Sequence, residues 1–372
     1  MERPAGVTPL IQIGKRRARI GIPYVREAIG EFYGTLILCF MCVGASAQFH
    51  VKNHGEGSWE SQIVPVFGII LGIMIATVTT GGLSGAHINP AVTISLAVAG
   101  ELSWLSVPGY VIGQLLGSIV GALLGWSLVH PYLHSVFMPL VTNQTIMEVD
   151  MEQGLGLAGI FSPLRSGITV GNGIATELVL TCFLITAVCA AIDKQSAFMP
   201  PKYLLSIMFP LVIAGFAFSH DVPSGTLLNP ARDLGPRIAA WMLGWDAKHV
   251  FKSLDWDGNE QHWWMVGIFG PILGGVLGAF IYSFVIGPQV NLQHLDETSE
   301  PKEDKKRTEV LAAKPEGDWR STVFVPKPQQ AIGPQNGGYQ NNNVPNAPGI
   351  YQQPQQPYGN GYPNQAYNSK QF

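Results

Sequence analysis

The sequence predicts an all-α membrane protein: six transmembrane helices plus two half-length helices, arranged as an inverted 3+3 repeat. Three observations carry this. Of the 372 residues only 13% are charged and 47% are hydrophobic, whereas a soluble domain carries about 25% charged residues. Six apolar runs, at 28–48, 62–83, 106–129, 170–192, 203–219 and 263–287, approach the roughly 20 residues that cross a bilayer. One frame, Ser-Gly, three residues, Asn-Pro-Ala, is also written twice, as SGAHINPAV at 84–92 and SGTLLNPARDLGP at 224–236.

The chain divides into a basic tail (1–26), an apolar membrane domain (27–290) and a C-terminal tail (291–372). Lys15, Arg16, Arg17, Arg19 and Arg26 precede the first span without a cleavable signal sequence, which puts the N-terminus in the cytoplasm. Six spans return the C-terminus to the same side, where KEDKKR at 302–307 agrees. The tail after 291 is rich in Gln, Asn, Pro, Gly and Tyr, too polar to form a core, and is expected to be disordered. Loops 49–61 and 130–169 then face outward, the second carrying a candidate glycosylation site at Asn143 in the triplet Asn-Gln-Thr.

Spans one to three repeat as spans four to six. Span one holds Glu31 with Thr35 four residues on, and span four Glu177 with Thr181. Span three carries Gly113, Gly117 and Gly121, matched in span six by Gly270, Gly274 and Gly278. Such rows are packing seams, because small residues let membrane helices approach closely. Three spans per copy is an odd number, so the second copy enters from the opposite side, with a substrate site expected near the midplane.

Each frame begins a helix too short to cross, 90–99 and 230–242. Asn is a favoured N-cap and Pro suits the first helical position, so Asn89 and Asn229 are the expected caps. A capping Asn uses its oxygen on the backbone, which leaves its amide as a pair of donors. The segments before the caps, 84–88 and 224–228, are tolerable at that depth only when buried or lining a watery path. Two helix N-termini aimed at the centre oppose cations and protons. The frame suits a neutral, hydrogen-bonding solute.

On these residues the chain resembles the aquaporin, or major intrinsic protein, family over 27–290. NPARD with Asp233 resembles the aquaglyceroporin branch, and both frames are similar to those of animal aquaglyceroporins. The resemblance implies a homotetramer in the lipid bilayer of the cell membrane, with one pore per subunit. It further implies passage of water, glycerol and small neutral solutes such as urea. It places Arg232 in an outer filter. Counted without gaps, the other filter positions fall on Ile69, Ala217 and Thr226, with Gly215 the alternative to Ala217. No ring member counted this way is aromatic, although Phe67, Phe216 and Phe218 lie close by in sequence. An open ring of that kind predicts entry of polyols larger than glycerol.

The remaining polar residues of the membrane domain receive structural roles. Asp233 in a first helical turn is ordinary dipole complementation. Glu31 and Glu177 are expected to accept backbone N–H groups of the irregular segments rather than relay protons, and His87 to hold loop backbone. Seven histidines (50, 54, 130, 134, 220, 249 and 262) fall on predicted outer loops. Cys39, Cys42, Cys182 and Cys189 all fall within spans as small hydrophobes. No cofactor or metal is expected. A net charge of −3 offers nothing to nucleic acid, and no nucleophile–base constellation suggests an enzyme. A coupled transporter on inverted repeats, or a junctional scaffold with a poorly conducting pore, are the competing readings at this point.

Overall fold

The computed structural model describes residues 20–53, 63–138, 144–196 and 199–290, all within the compact unit Met1–Lys302. Asn143, His54 and the tail after 290 lie outside these described residues.

Six helices are long and apolar enough to span a membrane: α1 (Pro23–Asn53), α2 (Ile63–Ser84), α4 (Val107–Phe137), α6 (Val170–Ile192), α7 (Lys202–Ser224) and α10 (Trp264–Ile281), the last continued by a π-turn at Tyr282–Ile286. Between them lie the half-helices α3 (Pro90–Val98) and α8 (Pro230–Leu243). The short α5 (Ile146–Gln153) and α9 (Ala247–Phe251) and a two-strand ladder, Ser253–Leu254 with Glu260–Gln261, complete the elements.

The two halves pack by the same rule. In the first, α1 lies against α2 and α4; in the second, α6 lies against α7 and α10. Each half-helix crosses over to the other half, α3 packing on α10 and α8 on α4. The glycine rows make the long contacts. A Cβ at Gly117 would sit 2.1 Å from the Phe32 carbonyl oxygen, and one at Gly274 2.1 Å from that of Leu178. No side chain fits there, so the helices touch through their backbones.

Three helices run past their predicted ends. α1 reaches Asn53 rather than 48, α4 reaches Phe137 rather than 129, carrying Pro131 inside it, and α7 reaches Ser224 rather than 219, with His220 non-helical at φ −140, ψ 29. Hydropathy measures how much of a helix is apolar and not where its hydrogen bonding stops, so polar end turns read as loops. As a correction, His50, His130, His134 and His220 therefore lie on helices, and His249 lies on α9.

On the side where these ends emerge, a cap of aromatic residues closes the bundle. Trp126, Phe161 and Trp245 pack mutually, tilted or edge to face, with centroids 5.3–5.4 Å apart. Asp150 pins the connecting loop by accepting from the N–H of Leu157 (2.9 Å) and Ala158 (3.2 Å) and from Trp245 Nε1 (2.7 Å).

Candidate pore

A cavity of about 1460 Å³ runs through the bundle from Arg165 and Asp221 at one end, past Asn89 and Asn229, to Lys194 and Lys202 at the other. The two repeated frames form its middle. In each, the segment between spanning helix and half-helix is bent by residues of positive φ at matched positions: Gly85 and Gly225 (φ 86 and 89), Ala86 and Thr226 (53 and 47), Ile88 and Leu228 (46 and 52). Only glycine adopts this region freely; each other L-residue costs about 1–2 kcal/mol there. That cost is met by surrounding bonds.

The two buried carboxylates supply them. Glu31 accepts from the N–H of His87 (2.9 Å) and Ile88 (2.6 Å), and Glu177 from the N–H of Leu227 (2.8 Å) and Leu228 (2.6 Å). Glu31 also accepts from Ser84 Oγ (2.6 Å) and Gln114 Nε2 (2.7 Å). Both glutamates are fully buried. Gln114, a lone amide in an apolar span, escaped the sequence reading and also donates to Thr93 Oγ1 at 2.9 Å. His87 differs from expectation. Its ring meets Thr93 Oγ1 (3.2 Å) and packs on Tyr110, and only its backbone N–H joins the loop network.

Asn89 and Asn229 cap α3 and α8. The Asn89 side chain accepts from the N–H of Ala91 at 2.8 Å, and Asn229 accepts from Ala231 (3.0 Å) and Arg232 (3.1 Å), with Pro90 and Pro230 in the first turns. Their amides are not wholly free, which corrects the expectation of two donors apiece. Asn89 Nδ2 donates to the Leu228 carbonyl at 2.9 Å and Asn229 Nδ2 to the Ile88 carbonyl at 2.7 Å. Each cap therefore keeps one amide hydrogen for the cavity.

Ile69, Ala217, Thr226 and Arg232 all line the cavity. Gly215 does not join them: it is exposed on the outer face of α7. Phe67 and Phe218 are likewise turned outward, 55% and 58% exposed, and Phe216 packs into the cluster around Leu184 and Val188. No aromatic from these three reaches the ring. Thr226 Oγ1 and Arg232 Nη1 are buried without a hydrogen-bond partner among the described residues. Both residues line the cavity, where a passing solute hydroxyl would satisfy an orphaned donor or hydroxyl.

Asp233 faces away from the cavity and is fully buried. Its carboxylate takes Arg237 Nε (3.0 and 3.1 Å) and Nη2 (2.8 Å), and Ser162 Oγ. Arg237 also donates to the carbonyls of Val250 (2.6 Å) and Pro163 (2.8 Å). The i,i+4 spacing of Asp233 and Arg237 is readable in sequence, whereas Ser162 and Pro163 lie 71 and 74 residues from their partners and leave no local pattern. Among the described residues no group of three or more metal-ligating side chains exists. The His130 and His134 rings are 6.0 Å apart, edge to face.

The family described as Major intrinsic protein matches residues 20–282. The chain is 33% identical over 265 residues to an aquaglycerol porin of Saccharomyces cerevisiae, covering 71% of this chain and 38% of that protein. It is 33% identical over 262 residues to a glycerol uptake facilitator protein of Haemophilus influenzae, covering 70% and 94%. The X-ray structure of the aquaglyceroporin from Plasmodium falciparum superposes with TM-score 0.57 at 27% identity, over 72% of this chain and 99% of that one. The chain thus spans well under half the length of the yeast relative and nearly all of the bacterial one. These relatives lend no support to a specifically animal likeness.

Proposed function

The chain belongs to the major intrinsic protein family, and from that premise we propose that it is a passive channel for water, glycerol and other small neutral solutes such as urea. The family is one of membrane channels rather than enzymes, and the six apolar helices make this a multi-pass membrane protein. The observation that carries the reading is the pair of opposed caps: Asn89 and Asn229 meet in mid-cavity with one amide hydrogen each to offer. A solute hydroxyl accepts from these donors while the positive ends of α3 and α8 repel cations and protons.

Arg232 acts as the outer filter, donating through its unpaired nitrogen and repelling cations, in a ring with Ile69, Ala217 and Thr226. Such a ring admits polyols larger than glycerol better than one narrowed by an aromatic side chain. Glu31, Glu177, His87 and Asp233 hold the pore walls. Residues 27–290 form the channel domain, 1–26 and 291–372 are cytoplasmic tails, and Asn143 on the outer side is the glycosylation candidate. The functional assembly is a homotetramer in the cell membrane, in keeping with exposed apolar side chains such as Val78, Leu128 and Phe183.

The test is stopped-flow permeability of reconstituted protein to water, glycerol and urea. Non-saturating fluxes indifferent to ion gradients are expected. Saturation with ion coupling would mean a transporter, and no flux above protein-free liposomes would mean a scaffold.

A further inference from the structure

The Arg165 end of the cavity carries an ion pair between residues 56 apart in sequence, Arg165 Nη2 with Asp221 Oδ2. Both residues line the cavity, and their side chains are 30% and 29% exposed. They come from different walls. Asp221 lies near the end of α7, one turn beyond Ala217 and directly after the non-helical His220. Its carbonyl accepts the Gly225 N–H at 2.7 Å, closing the turn into Thr226. The stretch from Ala217 to Thr226 is therefore a bend, with one ring residue at each of its ends.

Arg165 stands on a segment fixed to the other wall. Ser162 donates to Asp233, and the Pro163 carbonyl accepts from Arg237 Nη2 at 2.8 Å, so this segment is anchored to α8, which carries Arg232. Pro163 also presses on the bend: a Cβ at Gly225 would lie 2.6 Å from its Cγ and 3.7 Å from Arg165 Nη2. At Asp221 the anchored segment takes hold of α7 by charge, where Ala217 is otherwise held through apolar packing with Val66, Ile70 and Ala214.

We propose that the Arg165–Asp221 pair is a brace that sets the width of the ring formed by Ile69, Ala217, Thr226 and Arg232, and thereby how strongly glycerol is favoured over longer polyols. The proposal rests on the channel reading above. Arg165 and Asp221 are positioning residues: they act by holding the α7 wall against the α8 platform. A pair less than a third exposed is only partly screened by water, so its pull survives at moderate ionic strength and weakens at high salt.

The experiment measures, per reconstituted channel, the permeability ratio of xylitol to glycerol and the water permeability, for the parent, Arg165→Gln, Asp221→Asn, Arg165→Lys and the charge swap Arg165→Asp with Asp221→Arg. Loss of the brace raises the xylitol-to-glycerol ratio by at least about threefold while water permeability holds, since such pores select by diameter. Arg165→Lys and the swap return the ratio toward that of the parent. In the parent itself, about 1 M external salt, where the Debye length is about 3 Å, moves the ratio in the same direction. Should Arg165→Gln fail to accumulate, the near-isosteric Asp221→Asn and the salt arm carry the test. An unchanged ratio in glycerol-conducting variants, or a common fall in all three permeabilities, overturns the brace and leaves the channel reading standing. A parent that conducts neither glycerol nor xylitol overturns both.

Discussion

Asn89 and Asn229 are each hydrogen-bonded to the carbonyl that precedes the other, at 2.9 Å to Leu228 and 2.7 Å to Ile88. The two caps are thus both solute donors and the cross-link between the halves. Replacing either amide by a carboxylate sets an acceptor against an acceptor carbonyl, and a charge at that depth costs about 2.5–3.5 kcal/mol. Asn89→Asp or Asn229→Asp should lower glycerol and water permeability per channel at least about tenfold. A folded variant at the membrane that conducts like the parent would refute the donor role.

Thr226 stands at φ 47, a conformation already penalised for a β-branched residue. Thr226→Phe therefore adds bulk to the ring without adding backbone strain. Permeability should fall first for polyols longer than glycerol, then for glycerol, with water least affected. Equal loss for all solutes, or none, would place Thr226 outside the constriction.

The Asp233–Arg237 pair is buried, at 0% and 1% exposure, so removing one partner strands the other. Such losses run at about 3–5 kcal/mol. Asp233→Ala should lower the thermal transition in detergent and the yield of folded protein, while Arg237→Ala does the same through the freed Pro163 and Val250 carbonyls. A variant of parental stability and altered selectivity would instead mean that Asp233 acts on the solute.

Mercurials should inhibit weakly. All four cysteines are buried, and none lines the cavity. Cys42, in the cluster against which the ring residue Ile69 packs, is the thiol to test. Strong block at micromolar reagent, abolished by Cys42→Ser, would show that this thiol is reached from the pore.

Much of this architecture is legible in the sequence because its determinants are local. A cap, a proline after it and a half-length apolar run describe α3 and α8 without any knowledge of the rest, and glycine spacing reports where backbones touch. The matched Glu31 and Glu177 were visible as odd charges in apolar runs, and their geometry follows from the need of bent backbone for acceptors. What stayed hidden was long-range or rotational. Which of Gly215 and Ala217 faces the cavity depends on how α7 is rotated about its axis, which its apolar surroundings on all sides do not reveal. Ser162, Pro163 and Arg165 sit in a polar loop whose partners lie some 50–75 residues away in sequence, beyond any periodicity. Gln114 was lost among leucines because a single amide leaves no pattern.

The carboxylate bonds have a different bearing on how such a chain is made. Glu31 serves backbone only of its own half, and Glu177 likewise, whereas the cap amides bond across the seam. During synthesis the first three spans can thus emerge with their re-entrant turn already satisfied by Glu31, before residue 177 has been translated. The second half can order its own turn in the same way. Biogenesis then ends with the docking of the two halves, when α3 and α8 gain their packing partners across the seam, and the conducting path comes into existence only at that last step.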